Sequence, residues 1–328
     1  MIAGALFLRY SMLGLGRTLA AGTRQAQTEY ASELLRQLVI DCGRVIQQDR
    51  QALEQAVRLQ AREVERRLSL PPVGEPRLFF NADYAIPGRG PGDLQPSDRH
   101  FLTRPDGVRV PIAVSYGEQV YFAVAGVARQ SVAQDMARLA TMPEAYAFAR
   151  RACPDLVCWQ YTSLDCGFHT SYPGHGGYPP EYDPRTREWY VRARDSGDVT
   201  WLVMPEVSSR TVAQTVTMPV RRADGSFAGV TALDVPFSSM FQQLRLPQQW
   251  AAKSQAMLVT LGAAGSAQPK AEILVSRDYE RHGEDWQMPL EMQYLESGQP
   301  EQLQRMLREA SGSPAPVVRM GYTRRFPS

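Results

Sequence analysis

The chain has 328 residues, 44% of them hydrophobic and 21% charged, with a formal net charge of +2. That length exceeds what one small hydrophobic core serves, so two domains are expected. Lys and Arg together number 36 against 34 Asp and Glu, which leaves no basic surplus for a nucleic-acid partner.

The first segment, Ile2 to Leu15, is apolar except for Arg9, Tyr10 and Ser11. It falls short of the roughly 20 apolar residues that span a bilayer. It reads as a signal-peptide core, as a buried helix end, or as the outer half of a membrane helix. The last is preferred, so residues 1–22 are taken as a partial transmembrane or signal-anchor segment. Residues 23–70 follow as a long stalk helix. Its apolar positions (Leu34, Leu38, Cys42, Val45, Ile46, Leu53, Val57, Val64 and Leu68) recur at steps that keep one face, and Pro71-Pro72 ends it.

Residues 71–237 mix both element types. Strands are predicted over Val110–Val114 and Gln119–Ala125, a helix over Ser131–Arg151, and a strand over Leu156–Thr162. A turn-rich loop over Asp165–Asp183 leads into a short helix, Arg187–Ala193. Strands Val199–Met204, Thr211–Val220 and Phe227–Val235 complete the region, with Asp224-Gly225 as a hairpin signal between the last two. The sum is an α+β domain on a mostly antiparallel sheet of about five strands. Residues 238–328 read as a second, smaller unit: a helix over Ser238–Leu246, strands Ala256–Leu261 and Glu272–Ser276, a helix Gln302–Glu309 and a strand starting at Val317. A three-stranded sheet with an open edge predicts that this unit is truncated.

Four cysteines, Cys42, Cys153, Cys158 and Cys166, allow three full pairings, and free buried thiols fit equally well. His169 and His175 with Asp183 make a poor zinc pattern, so no metal and no cofactor are expected. The chain shows no Gly-x-Ser-x-Gly elbow, no His-Glu-x-x-His and no phosphate loop, so no enzyme is expected.

Binding groups concentrate in residues 169–190, where a Gly- and Pro-rich loop precedes Arg187, Trp189 and Tyr190. A guanidinium is always charged and forks toward a carboxylate, and the two rings supply rigid apolar walls. Read alone, Arg187 also fits a surface ion pair, Trp189 and Tyr190 fit core positions, and Arg185 fits a local partner of Asp183.

In order and spacing, three features resemble the double Cache extracytoplasmic sensor domains of bacterial receptors. These are the long helix, the block Tyr182-Asp183-Pro184-Arg185-x-Arg187-x-Trp189-Tyr190, and Asp224-Gly225-Ser226-Phe227-Ala228-Gly229-Val230 leading to Ala232-Leu233-Asp234-Val235. The resemblance runs from Thr23 to the end. It implies a long N-terminal helix followed by two PAS-like modules with antiparallel sheets, the second incomplete here. The distal module, residues 71–237, would bind ligand. The loop from Tyr172 to Tyr178 and the tail Val317-Val318-Arg319-Met320 look most like sensors that precede a HAMP linker and a serine/threonine phosphatase. In amino-acid-binding members, Tyr182, Arg187, Trp189 and Tyr190 match the ligand motif and Asp234 matches its last aspartate. A departure falls at Pro205-Glu206-Val207-Ser208, where Glu206 takes a tyrosine position and Ser208 removes a charge. With His175 in the loop, these make the candidate ligand-binding set. The resemblance further implies a small-molecule partner (an amino acid, organic acid or amine), anchorage in the cell membrane through the N-terminal segment, a periplasmic or extracellular folded part, and a homodimer through the long helix.

Overall fold

In the computed structural model the chain opens with one continuous helix, α1, over Ile2–Ser69. The structure describes residues 2–72, 74–104, 107–206, 208–209, 212–236 and 239, and the strand residues 257–261, 271–276 and 290–291. Among the described residues no helix is long and apolar enough to cross a membrane. The expected helix and strand at 302–309 and 317–322 lie outside the described residues, as does the helix at 238–246 apart from Ser239. Two compact units are distinguished: Met1–Gln47 with Glu296–Ser328, and Gln48–Leu295. Among the described residues the second holds every sheet.

The fold is α+β. After α1 come β1 (Phe79–Phe80), β2 (Gln95–Thr103), β3 (Arg109–Val114), β4 (Val120–Ala123), α2 (Arg129–Arg138), α3 (Met142–Ala152), β5 (Trp159–Leu164), β6 (Phe168–Tyr172), α4 (Glu188–Ser196), β7 (Thr200–Pro205), β8 (Val212–Arg221) and β9 (Phe227–Pro236). The main sheet has seven strands in the order β1-β4-β6-β5-β9-β8-β7, rather than the expected five. Only the β1–β4 pair is parallel. β2 and β3 form a separate antiparallel pair, and β10 (Met257–Leu261), β11 (Ala271–Ser276) and β12 (Leu290–Glu291) form a small antiparallel sheet.

Two departures from the sequence expectations have local causes. The helix expected over 131–151 is two helices, because the turn at Leu139–Thr141 is followed by Pro143 in the first turn of α3, where a missing N–H is tolerated and an uninterrupted helix is not. The expected loop over 165–183 contains β6, all five residues of which are buried between β4 and β5. The Asp-Gly hairpin forms between β8 and β9, with Gly225 at φ 84°. Gly229, at φ 154°, lies so close under β5 that a Cβ would run into the Ser163 carbonyl.

Alternation along the strands separates two cores. On one face α1, α2 and α3 pack through Ala61, Val64, Leu68, Val132, Met136 and Tyr146 against Leu164, Phe168 and Tyr172. On the other, α4 packs through Trp189, Tyr190 and Ala193 against Trp159, Tyr161, Leu202, Val230 and Ala232. Cys153, Cys158 and Cys166 are free thiols, and burial pushes all three above the usual thiol range.

Within Gln48–Leu295, one buried polar residue ties α1 to the sheet centre. Gln60 donates to Thr231 Oγ1 (2.6 Å) and to the Ala232 carbonyl (3.0 Å), and accepts from Gln160 (2.8 Å). Thr231 also hydrogen-bonds Thr162, which meets Tyr146. Truncating such a group strands its buried partners. Gln60→Ala is expected to lower stability by about 2–3 kcal/mol and Tm by roughly 5–10 °C. Thermal denaturation checks this, and a Tm within about 1 °C of the parent would contradict it.

Candidate functional site

The cleft on the α4 face is built by cross-strand register. Trp159 of β5 stands opposite Asp234 of β9, and Asp234 stands opposite Thr215 of β8. Tyr161, two residues after Trp159, faces the same way. These four side chains form the floor. His169 of β6 and Met204 of β7 extend it to either side. The walls come from Tyr178 and Tyr182 of the loop, and from Arg187 and Trp189 at the start of α4. Glu206 follows β7. The side chains leave about 20 Å³ of space between them, room for about one water molecule.

The loop is held on both flanks. Ser115 and Gly174 exchange backbone hydrogen bonds of 2.8 and 2.9 Å. Asn81 grips Tyr178 by accepting from its N–H (3.1 Å) and donating to its carbonyl (2.9 Å). Tyr178 and Tyr182 then lie 5.5 Å apart, each ring edge-on to His169 at 5.3 and 5.8 Å. Tyr161 meets Trp189 edge-on at 5.0 Å. Such rings order the wall without spending polar groups.

Of the eight residues singled out from sequence, Tyr182, Arg187, Trp189, Glu206 and Asp234 come together around the cleft. Arg187 is the residue from which α4 starts. Its neighbours Arg185 and Arg192 are engaged with Asp183 (2.8 Å) and Glu188 (2.6 Å). Among the described residues Arg187 has no salt bridge, and it lines the cleft.

The other three lie outside the lining. Tyr190, about 100° further round the helix and edge-on to Trp189 at 5.7 Å, lies outside the lining and packs edge-on against Phe227 at 5.9 Å. Ser208 is buried in the loop after β7, where its N–H donates to Glu206 and its carbonyl accepts from Thr103. His175 sits behind the wall against Trp159 (4.3 Å) and Tyr178 (4.9 Å). Its Nδ1 donates to the Gly176 carbonyl, which can only accept.

Trp159, Tyr161, His169, Tyr178, Met204 and Thr215 complete the lining. The alternation of Trp159 and Tyr161 was a usable signal. Thr215 carried none, because only register brings it to Asp234. Ser163 Oγ and His169 Nδ1 are 2.6 Å apart. Ser163, opposite His169 across the β5–β6 ladder, is wholly buried and is not among the cleft-lining residues. Among the described residues no group of three His, Cys, Asp or Glu is placed to hold a metal ion.

Burial sets the site's electrostatics. Asp234 is pushed up to about 7, chiefly by desolvation. The hydrogen bond from Thr215 pulls it down, the negative charge of Glu206 raises it, and the bond from Tyr161 lowers it again. Tyr161, Tyr178 and Tyr182 are all raised, mainly by burial. Desolvation lowers His169 to about 3, and His100 and His175 to about 4.

No family model matches the sequence, nor does any curated protein. Solved structures that match in part include ligand-binding domains of chemoreceptors. The Pseudomonas aeruginosa amino-acid chemoreceptor PctC domain in complex with GABA matches at 22% identity and a TM-score of 0.31, over 41% of this chain and 58% of that one. The PctB domain of the same organism with L-Gln matches at 22% and 0.32, over 40% and 50%. The Pseudomonas fluorescens CtaA domain with L-serine matches at 23% and 0.29, over 37% and 48%. The chain spans about half the length of these structures.

The three depressed histidines predict acid sensitivity. A group whose pKa falls on folding stabilises the fold fully above its ordinary value, about 6.5, and loses that contribution as pH falls toward 3–4. Asp234, Asp49 and Glu118, raised on folding, work the other way, but of these only Asp234 is as deeply buried as the three histidines. Tm is therefore expected to fall by about 10 °C or more between pH 7 and pH 4.5. A flat or rising Tm in a pH series of melts would contradict this.

Proposed function

We propose that this chain is the extracytoplasmic ligand-sensing part of a bacterial transmembrane signalling protein, and that its cleft binds a small carboxylate-bearing molecule without transforming it. One observation carries the reading. Arg187, which has no salt bridge among the described residues, joins a cleft lined by Trp159, Tyr161, Tyr178, Tyr182 and Trp189. A fixed positive charge among aromatic rings suits an anionic head with an apolar body, and a carboxylate can meet the guanidinium through two parallel bonds.

The reading as binding without turnover is supported by the absence of Ser163, the hydroxyl bonded to His169, from the cleft lining. Attachment to a membrane through the N-terminal segment and pairing of two copies along α1 belong to the same reading. Exposed apolar residues of α1, Tyr30 at 72% and Leu59 at 54%, support the pairing. A HAMP linker and phosphatase downstream are the resemblance's contribution to it. Occupancy of the cleft would act by differential affinity for two arrangements of the loop over the sheet.

The test is a thermal-shift screen of amino acids, organic acids and amines, followed by calorimetry on the compounds that stabilise the chain. A charge-assisted hydrogen bond contributes about 1.5–3 kcal/mol, so Arg187→Ala is expected to weaken a carboxylate ligand roughly ten- to hundredfold. Arg187→Lys should recover part of that, keeping the charge without the fork. Equal affinity in Arg187→Ala and the parent would sink the reading.

A further inference from the structure

Three buried imidazoles belong to one chain of ring contacts. His100 of β2 and His175 of the loop both pack on Trp159, each with its ring centre 4.3 Å away. His175 then meets Tyr178 at 4.9 Å, and Tyr178 meets His169 of β6 at 5.3 Å. Their hydrogen bonds decide what each ring can do with a second proton. At His100, Nε2 donates to the Cys158 carbonyl (3.1 Å), so Nδ1 accepts from the Ser97 hydroxyl (2.7 Å). A proton on Nδ1 needs only a rotation of that hydroxyl, which can accept as well as donate. His169 has the same freedom, with a hydroxyl at each nitrogen: Ser163 at Nδ1 (2.6 Å) and Tyr178 at Nε2 (3.5 Å). His175 does not. Its Nδ1 donates to the Gly176 carbonyl (2.8 Å), and its Nε2 is buried with no hydrogen-bond partner among the described residues.

A second proton on His175 would therefore create an N–H with nothing to receive it, on a ring wholly shut from water. The rings of Trp159 and Tyr178 attract a cation. The groups that face His175 add little to that. They are His100 from β2, His169 from β6, Tyr178 from the loop, and Tyr84 from the turn after β1, which packs against both Gly174 and Gly176. Both tyrosines are raised by burial and stay neutral, as does Cys158 beside Trp159. Around His100, Arg99 and Arg150 disfavour a second proton and Asp98 favours it. Asp234 stands opposite Trp159 across the ladder, yet no carboxylate contributes at His175. Burial prevails there and lowers the ring to about 4, with the Gly176 bond raising it and His100 lowering it. The ring has no room to turn in place, since even a Cβ at Gly174 or Gly176 would run into Tyr84. Nε2 reaches water when the loop lifts.

We infer that His175 makes residues 173–183 an acid-released strap: the partnerless Nε2 takes a proton from solvent when the strap lifts off Trp159, so acid opens the cleft while the sheet stays folded. The inference goes beyond the ligand reading and does not depend on what the cleft binds. The lifted ring titrates at its ordinary value, about 6.5. The hold of His175 on the strap is therefore complete above that pH and is lost as pH falls toward 4.

Amide hydrogen exchange of the full chain from about pH 7.5 to about pH 5, corrected for intrinsic rates, tests this. The N–H groups of Ser115, Gly174 and Tyr178 are protected by the bonds that hold the strap, and those of β5 and β9 report the sheet. Proton uptake by one ring should speed the strap amides by roughly twenty- to thirtyfold over that range, relative to the same change in His175→Asn. Asn keeps a donor for the Gly176 carbonyl but cannot titrate, and Asp234 titrates in both chains and cancels. His100→Gln, which keeps the donor to the Cys158 carbonyl, should retain the full acceleration. In the parent alone, the strap amides should run ahead of those of β5 and β9, a readout that needs no variant to fold. Strap amides that merely keep pace with the sheet in the parent, or an undiminished acceleration in His175→Asn, would overturn the inference. So would its loss in His100→Gln.

Discussion

The site depends on a carboxylate buried on a central strand. Asp234 lies in the interior of a sheet where an isolated charge is costly, and it is tolerated because β5 and β8 each deliver a hydroxyl to the same oxygen. That arrangement fixes the register of three strands at once. A slip by one residue on β9 would turn Asp234 toward the helices and replace it in the cleft with an aliphatic side chain. Once the register is fixed, Trp159 and Tyr161 are fixed as floor, and the loop and the start of α4 have a surface to close upon.

The opposite face of the same strands meets α1. Gln60 bonds Thr231 and the carbonyl of Ala232, two to three residues before Asp234, and reaches Gln160, which lies between Trp159 and Tyr161. Trp201 of β7 donates to Glu54, and Glu65 accepts from the N–H of Arg221. The helix is thus bonded to strands β5, β7, β8 and β9, from which the cleft floor rises. A shift in those strands has polar bonds, not just apolar contact, through which to be felt at the helix.

Much of this was legible in the sequence where the determining interactions are local. The Asp-Gly turn, the Asp183–Arg185 pair and the helix face from Leu53 to Leu68 each depend on residues a few positions apart. What depends on distant partners was not. β6 hid among the glycines and prolines of 165–183, since His169 to Tyr172 become strand only because β4 and β5 lie on either side. β2 was missed because Gln95-Pro96-Ser97-Asp98-Arg99 lacks an apolar alternation. Trp189 and Tyr190 looked equivalent, and only the docking of α4 sends one to the cleft and the other to Phe227. Glu206 was read as a substituted ligand contact. Its two backbone hydrogen bonds, from Ser208 and Ser209, show that it also shapes the turn it sits on.

The most direct measurement is a crystal structure of the chain grown with a stabilising carboxylate compound. The account predicts the compound's carboxylate within hydrogen-bond distance of the Arg187 guanidinium, with its body against Trp159 and Trp189. A structure in which Arg187 extends into solvent, with Tyr178 and Tyr182 filling the cleft, would contradict it.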